Sequence, residues 1–199
     1  MKKIIFALFI VLTVLAGYFL YPQTASDSEP PRVIAFGDSL TYGRGSEAGG
    51  GYVQMLSDDL GVPIDNLGLT GDTTEGALKR IAQVTGRKPT ITIVLLGGND
   101  FLMGVPQEKT FGNLGKIIEI IQASGAEVLL IGLEPVIGKR GERAAFDALA
   151  KKYKTAYVPN ILRGIYGRLD MMSDNLHPND KGYKLMADRI EPVLEELVD

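Results

Sequence analysis

Ser39 lies in the stretch FGDSLTYG, residues 36–43, immediately after the apolar run RVIA. A hydroxyl placed where a strand has just ended has two readings. Gly, Asp and Ser are ordinary residues of turns and helix caps, and the same trio suits an elbow that presents a nucleophile. An alcohol is a weak nucleophile until a base takes its proton. His177 is the sole histidine of the chain, and Asp174 precedes it by three residues in SDNLHPN. In a loop, that spacing lets a carboxylate hold the ring Nδ1–H and leaves Nε2 to face a serine, which is the chemistry of a Ser-His-Asp triad. Acyl transfer also requires N–H donors that are in place before the oxyanion develops. Three are available: the backbone N–H of Ser39, the backbone N–H of Gly71 in LTGDT, and the side-chain amide of Asn99 in GGND. Taken singly, Gly71 and Asn99 read equally well as turn residues.

The elements that must position these groups alternate along the chain. Apolar runs of strand length occur at 32–36, 63–67, 90–96, 126–132 and 155–158. Between and after them, apolar residues recur at helical spacing over 51–60, 74–86, 108–124, 141–153 and 180–198. Near-continuous apolar strands in a βαβα order imply a parallel sheet covered by helices on both faces. The expected fold is therefore α/β, a doubly wound, flavodoxin-like three-layer α/β/α domain around five parallel strands. Pro192 lacks an N–H and is expected to kink or break the last helix, in one piece or two. In such folds ligands bind at the carboxyl ends of the strands. The residues just past the strands read GDSL after the first, GLTGDT after the second and GGND after the third, with DNLHPND beyond the fifth and a short helical insert. The opposite connections read LGVP, GRKP and ASGA. Chance turns would not concentrate polar groups at one end, so the asymmetry favours a site.

Composition narrows the function. The 199 residues are 45% hydrophobic and 23% charged with no low-complexity tract, as in a globular protein. A net charge of −3, or about −5 without Lys2 and Lys3, argues against a nucleic-acid surface. The absence of cysteine excludes disulfides, thiolate catalysis, iron–sulfur ligation and lipid attachment through Cys. One histidine and no cysteine leave too few of the usual ligands for a catalytic zinc. Gly43, Gly45 and Ala48 fit a dinucleotide fingerprint in spacing but begin too far past the first strand. GDSLT lacks the second glycine of a G-x-S-x-G elbow, which argues against the larger α/β-hydrolase fold. At the N-terminus two lysines precede about 18 mostly apolar residues, Ile4 to Tyr21. At ~1.5 Å per residue the run reaches ~27 Å, close to the hydrocarbon thickness. Its length favours an uncleaved anchor over a cleaved signal peptide, for which Thr24-Ala25-Ser26 is a weak cleavage site. The expected organisation is a signal-anchor or signal peptide at 1–21, a Pro-containing tether at 22–31, and a catalytic domain at 32–199 exported to the cell envelope.

GDSL with Ser39, NLGLTGDTT with Gly71, VLLGGND with Asn99 and the Asp174/His177 pair before PN together resemble the SGNH, or GDSL, hydrolase family. Within it the chain is most similar to the bacterial periplasmic thioesterase I/lysophospholipase L1 group of arylesterases. The resemblance covers nearly all of the domain from Arg32 onward, with the long N-terminal segment as its departure. It implies that Ser39 is the nucleophile, that Asp174 and His177 complete the triad, and that Ser39, Gly71 and Asn99 form the oxyanion hole. The reaction so implied is hydrolysis of a carboxylic ester or thioester through an acyl-enzyme, without cofactor, on a small acyl substrate. Two alternatives stand beside it: an O-acetylesterase acting on carbohydrate or peptidoglycan, and a membrane-tethered binding protein without turnover. Phe101, Leu102 and Met103 follow the Asn99 block directly. Their position in the matching loop of related thioesterases makes them an expected wall for the acyl chain, and the simpler reading is a cap over the helix at 108–124. Acyl-chain length, physiological substrate and oligomeric state are left open by the sequence.

Overall fold

The computed structural model describes residues 31–134 and 141–198. The expected anchor at 1–21 and most of the tether lie outside the described residues. Among those described, no helix is long and apolar enough to cross a membrane. Five strands, β1 (Val33–Gly37), β2 (Ile64–Gly68), β3 (Ile91–Leu95), β4 (Glu127–Ile131) and β5 (Ala156–Val158), form one sheet in the order β2-β1-β3-β4-β5. Every pairing is parallel. β1 and β3 are central and buried along their whole length, which is why their sequences are almost uninterruptedly apolar. Edge strand β2 tolerates Asp65 and Asn66 because it is only partly covered.

The helices are α1 (Ser39–Tyr42), α2 (Gly51–Leu60), α3 (Thr74–Lys79), α4 (Ala82–Thr85), α5 (Gly98–Leu102), α6 (Gln107–Ala123), α7 (Glu142–Tyr153) and α8 (Asp180–Val198). α2 packs on α8, and α6 packs on α3 and α7. These two groups supply the outer layers of the expected three-layer domain. The chain runs from β1 outward to β2 and then back across to β3, so strand order reverses beside β1. That is where a crevice opens at the carboxyl ends. The exits of β1 and β3 flank it, bringing Ser39 and Asn99 to one place although they are far apart in sequence.

Four details differ from the sequence expectation. The helix expected over 74–86 is two short helices. At the break, Arg80 N–H and Ile81 N–H bond three residues back, to Ala77 and Leu78, tightening the turn. Pro192 does not interrupt α8, which continues to Val198. Its buried stripe of Tyr183, Met186, Ala187, Ile190 and Leu194 holds both sides of the proline against the core. Pro192 and Asp188, whose carbonyl it leaves unpaired, face solvent, so water can take the vacated bond. The insert after β5 is a run of turns closed by a bridge between Met172 and Pro178, not a helix. Helices α1 and α5, only four and five residues long, are too short to leave a periodic signal.

The break at Arg80 has a purpose in packing. Its guanidinium turns inward, 4.3 Å from the Phe36 ring centroid. It donates to the carbonyl of Gly37 at 2.9 Å, to the carbonyl of Leu67 at 2.9 Å and to Asp72 Oδ2 at 2.7 Å. One side chain thus ties the end of β1, the end of β2 and the loop that carries Gly71. Both charges of the Arg80–Asp72 pair are nearly buried. Breaking a buried pair from one side leaves the other charge uncompensated, at a cost of roughly 3–5 kcal/mol. Arg80→Met should therefore lower stability in chemical denaturation by about that amount. Arg80→Lys should recover only part of it, because an ammonium cannot span three planar acceptors as a guanidinium does. A loss below about 1 kcal/mol in Arg80→Met would contradict the clamp.

Candidate active site

Ser39 opens α1 directly after Asp38. The Asp38 carboxylate caps that helix by accepting the Leu40 N–H at 3.0 Å. The turn is tight enough that a Cβ on Gly37 would collide with Thr41 Oγ1 and with the Leu95 carbonyl. Glycine is therefore required before the Asp-Ser pair, and the serine is fixed at the mouth of the crevice with 8% of its surface exposed.

His177 reaches the serine from the loop between β5 and α8. Its Nε2 lies 3.0 Å from Ser39 Oγ, and its Nδ1 lies 2.8 Å from Asp174 Oδ2 and 3.0 Å from Oδ1. Asp174 Oδ1 also accepts the backbone N–H groups of Leu176 and His177, at 2.7 and 2.8 Å. The three-residue spacing thus makes a self-closed turn in which one carboxylate holds both backbone and ring. Ser173 N–H clamps the base of this turn by donating to the His177 carbonyl at 2.9 Å. The hydrogen bond from His177 and those from the backbone hold the Asp174 carboxyl down at about 2. An ionised carboxylate can only accept. In the neutral ring Nδ1 must then carry the proton, which leaves Nε2 to accept from the serine hydroxyl.

The third part of the site is carried by the loops after β2 and β3 and lines a cleft with Ser39 and His177. Gly71 has φ +80°, a left-handed conformation costly for other residues, and it lines the cleft that Ser39, Asn99 and His177 also line. Among the described residues neither the Ser39 N–H nor the Gly71 N–H has an acceptor. Asn99 Nδ2 spends one hydrogen on the Asp72 carbonyl at 2.8 Å and approaches Asp38 Oδ2 only at 3.5 Å, so its second hydrogen is weakly engaged. Beneath Asn99, buried Asp100 accepts from the N–H of Thr74 at 2.8 Å and from the Thr74 hydroxyl. Asn113 donates to that same hydroxyl at 3.1 Å. These bonds lock α5 to α3, and with them Asn99 to the Gly71 loop.

Electrostatics beside the serine are unusual. Three carboxyl groups, Asp38, Asp72 and Asp100, are buried there with Arg80 as their nearby cation. Burial, reinforced by Asp72 and Asp100 against the Leu40 hydrogen bond, pushes Asp38 up to about 7. Burial also raises Asp72, opposed by Arg80.

An apolar cleft of about 170 Å³ runs from Ser39 away from the Gly71 loop. Phe101 and Leu102 line it, as expected, together with Leu133, Leu162, Tyr166 and Leu176. Met103 does not line it; it caps the end of α5 and, like Leu102, is about two-thirds exposed, at 67% against 66%. Phe101 serves both readings, since its ring also packs on Phe111 of α6 at 6.5 Å. Leu133, Leu162, Tyr166 and Leu176 were not singled out in the sequence. Leu133 had a signal in its position just past β4, at a strand exit where Glu134 follows it. Leu162 and Tyr166 lie in a turn-rich segment with no periodicity to mark them.

A profile of the GDSL-like lipase/acylhydrolase family matches residues 35–185. Esterase TesA of Pseudomonas aeruginosa is 32% identical over 196 residues, covering 92% of this chain and 96% of that protein. Thioesterase 1/protease 1/lysophospholipase L1 of Escherichia coli K12 is 29% identical, covering 91% of each. The solved structure of TesA superposes with a TM-score of 0.76 at 32% identity, over 83% of this chain and 99% of that one. The family profile spans most of the chain and includes Ser39, Gly71, Asn99, Asp174 and His177. The chain belongs to the GDSL-like lipase/acylhydrolase family, whose members hydrolyse ester bonds.

Proposed function

We propose that the chain is a serine esterase that cleaves aliphatic carboxylic esters or thioesters through an acyl-enzyme at Ser39. The observation that carries this reading is the continuous relay from Asp174 through His177 to Ser39 Oγ, at 2.8 and 3.0 Å, opening on an apolar cleft. Ser39 Oγ attacks the acyl carbon while His177 Nε2 takes its proton. The carbonyl electrons move onto oxygen, which the N–H groups of Ser39 and Gly71 and the second hydrogen of Asn99 Nδ2 receive. The C–O or C–S bond then breaks, and the leaving alkoxide or thiolate takes the proton from His177. Water attacks the acyl-serine and gives its proton to Nε2, which returns it to Oγ as the carboxylic acid departs. Asp174 stays ionised throughout and stabilises the imidazolium.

The same reading extends to the N-terminus. Residues 1–21 carry the chain out of the cytoplasm and hold it at the membrane, 22–31 are a tether, and 32–199 are the hydrolase domain. The charge order and apolar length of Ile4 to Tyr21 support this. Full-length protein should remain in the pellet after alkaline carbonate extraction. Release into the supernatant would remove the anchor from the account.

Ser39→Ala should abolish turnover of aryl and alkyl esters with little change in melting temperature, and wild type quenched during turnover should carry one acyl group on Ser39 by mass spectrometry. Wild-type kcat/KM should rise with pH, because only the neutral His177 ring can accept a proton and Asp174 is already ionised well below that range, while Asp38, lifted to about 7 beside Ser39, ionises in the same span. A profile flat down to pH ~4 would contradict these roles.

The apolar cleft sets a second expectation. Leu102→Ala and Leu162→Ala should lower kcat/KM increasingly as the acyl chain lengthens, by up to about fourfold for each chain methylene no longer covered, from ~0.8 kcal/mol per CH₂. Met103→Ala, outside the cleft, should show no dependence on chain length. Equal reductions on acetyl and octanoyl esters would return Phe101 and Leu102 to a purely structural part.

A further inference from the structure

Asp38 is a buried titratable group that the reaction at Ser39 does not use. It is 2% exposed and lines the apolar cleft together with Ser39, Asn99 and His177. Its two oxygens face two different oxyanion donors. Oδ1 accepts the Leu40 N–H at 3.0 Å and so fixes the start of α1, where Ser39 presents its own N–H. Oδ2 faces Asn99 Nδ2 at 3.5 Å.

The length of that second contact bears on the charge of the acid. Charge-assisted hydrogen bonds to a carboxylate draw in to about 2.7–2.9 Å. Asn99 Nδ2 makes its short bond elsewhere, to the Asp72 carbonyl at 2.8 Å, and the hydrogen on the Asp38 side is loosely held. The surroundings agree with a neutral acid. The groups facing Asp38 are the carboxyl groups of Asp72, from the loop after β2, and Asp100, from α5, with the phenols of Tyr52 on α2 and Tyr183 on α8. Arg80, the nearby cation, is spent on Asp72 and on the Gly37 and Leu67 carbonyls. His177 lines the same cleft with its Nδ1 turned to Asp174. Burial first, and the two carboxyl neighbours second, favour the uncharged form of Asp38. Because Oδ1 accepts from Leu40, the proton belongs on Oδ2.

A carboxylate beside an oxyanion hole works against it twice. It repels the developing charge, and it draws the amide hydrogen which that charge needs. We infer that Asp38 is a positioning residue for the oxyanion hole: as a neutral acid it steadies α1 and leaves the second Asn99 hydrogen to the substrate, and its ionisation recaptures that hydrogen and weakens the hole. The inference rests on the esterase reading, in which Asn99 receives the oxyanion.

The test compares wild type, Asp38→Asn, Asn99→Ala and the double variant on phenyl butyrate. Asparagine keeps the cap on Leu40 and places an N–H where the neutral acid has its O–H, at every pH. His177 sets the rise of kcat/KM with pH in all four proteins, so the readout is a ratio between variants, with melting temperatures to confirm folding. The ratio of Asp38→Asn to wild type should climb about fivefold between pH ~5.5 and ~8.5, a fraction of the roughly 10²–10³ lost when one donor is removed outright. In the Asn99→Ala background the same ratio should climb less than about twofold, because no hydrogen is left to recapture. A purely structural acid would not lose its effect there. Carbon-13 labelling of the aspartate carboxyls in wild type gives a readout free of any variant. One should titrate near neutral pH, and higher once Ser39 carries a monoalkyl phosphonate, whose charge mimics the oxyanion. A climb below about threefold, an equal climb without Asn99, or no aspartate titrating between pH ~5.5 and ~9 overturns the role of Asp38 alone. Wild type that does not hydrolyse the ester overturns the esterase reading beneath it.

Discussion

The nearly buried guanidinium of Arg80 is the contact on which the rest of the site depends. At the exits of β1 and β2 two backbone carbonyls point at one cation: that of Gly37, which also accepts the Leu69 N–H at 3.0 Å, and that of Leu67. The third partner, Asp72, neutralises that cation and anchors the loop presenting Gly71. The arrangement gives both carbonyls a charged donor, the stronger kind of hydrogen bond. It also fixes the distance between the serine's strand and one proposed oxyanion donor. A donor helps catalysis only if it is in place before charge develops, so the clamp is a matter of chemistry as well as folding.

The two halves of the site are stabilised by different means. Asp174 and His177 sit in a partly exposed loop that organises itself, since one carboxylate accepts the ring and two backbone N–H groups and the loop closes through Ser173. The opposing half is buried and relies on tertiary interactions: Asp100 with Thr74, Thr74 with Asn113, Asn99 with the Asp72 carbonyl. The hydrogen bond between Ser39 and His177 joins the two halves. Little solvent reaches that half, where the carboxyl groups of Asp38, Asp72 and Asp100 are buried behind Ser39, and this burial lifts Asp38 to about 7.

Much of this was readable in the chain, and the physical reason is period and position. Continuous apolar strands such as ITIVL announce a buried parallel sheet, and its switch point tells where polar exits converge, so Ser39, Gly71, Asn99, Asp174 and His177 stood out together. What escaped the sequence depended on side chains whose targets lie elsewhere in the fold. Arg80 reads as one more polar residue on a helix, and only the tertiary structure reveals that it breaks that helix to reach three strand-end acceptors. Pro192 misled for the converse reason, because a local rule gave way to the packed face of α8. Met103 follows Leu102 in sequence but, past the last residue of α5, does not line the cleft.

The central claim is that the Ser39 N–H, the Gly71 N–H and Asn99 Nδ2 already converge on the position of the oxyanion, held there by Arg80 and Asp100. A crystal structure of the protein covalently inactivated by a monoalkyl phosphonate measures this directly. The account predicts phosphorus bonded to Ser39 Oγ, one phosphonyl oxygen within ~2.7–3.1 Å of all three nitrogens, and the alkyl group in the cleft with Leu102 and Leu162. The Arg80 hydrogen bonds should be unchanged. An oxygen turned away from Gly71 and Asn99, or a loop that must rebuild around Asp72 to meet it, would contradict a preformed site.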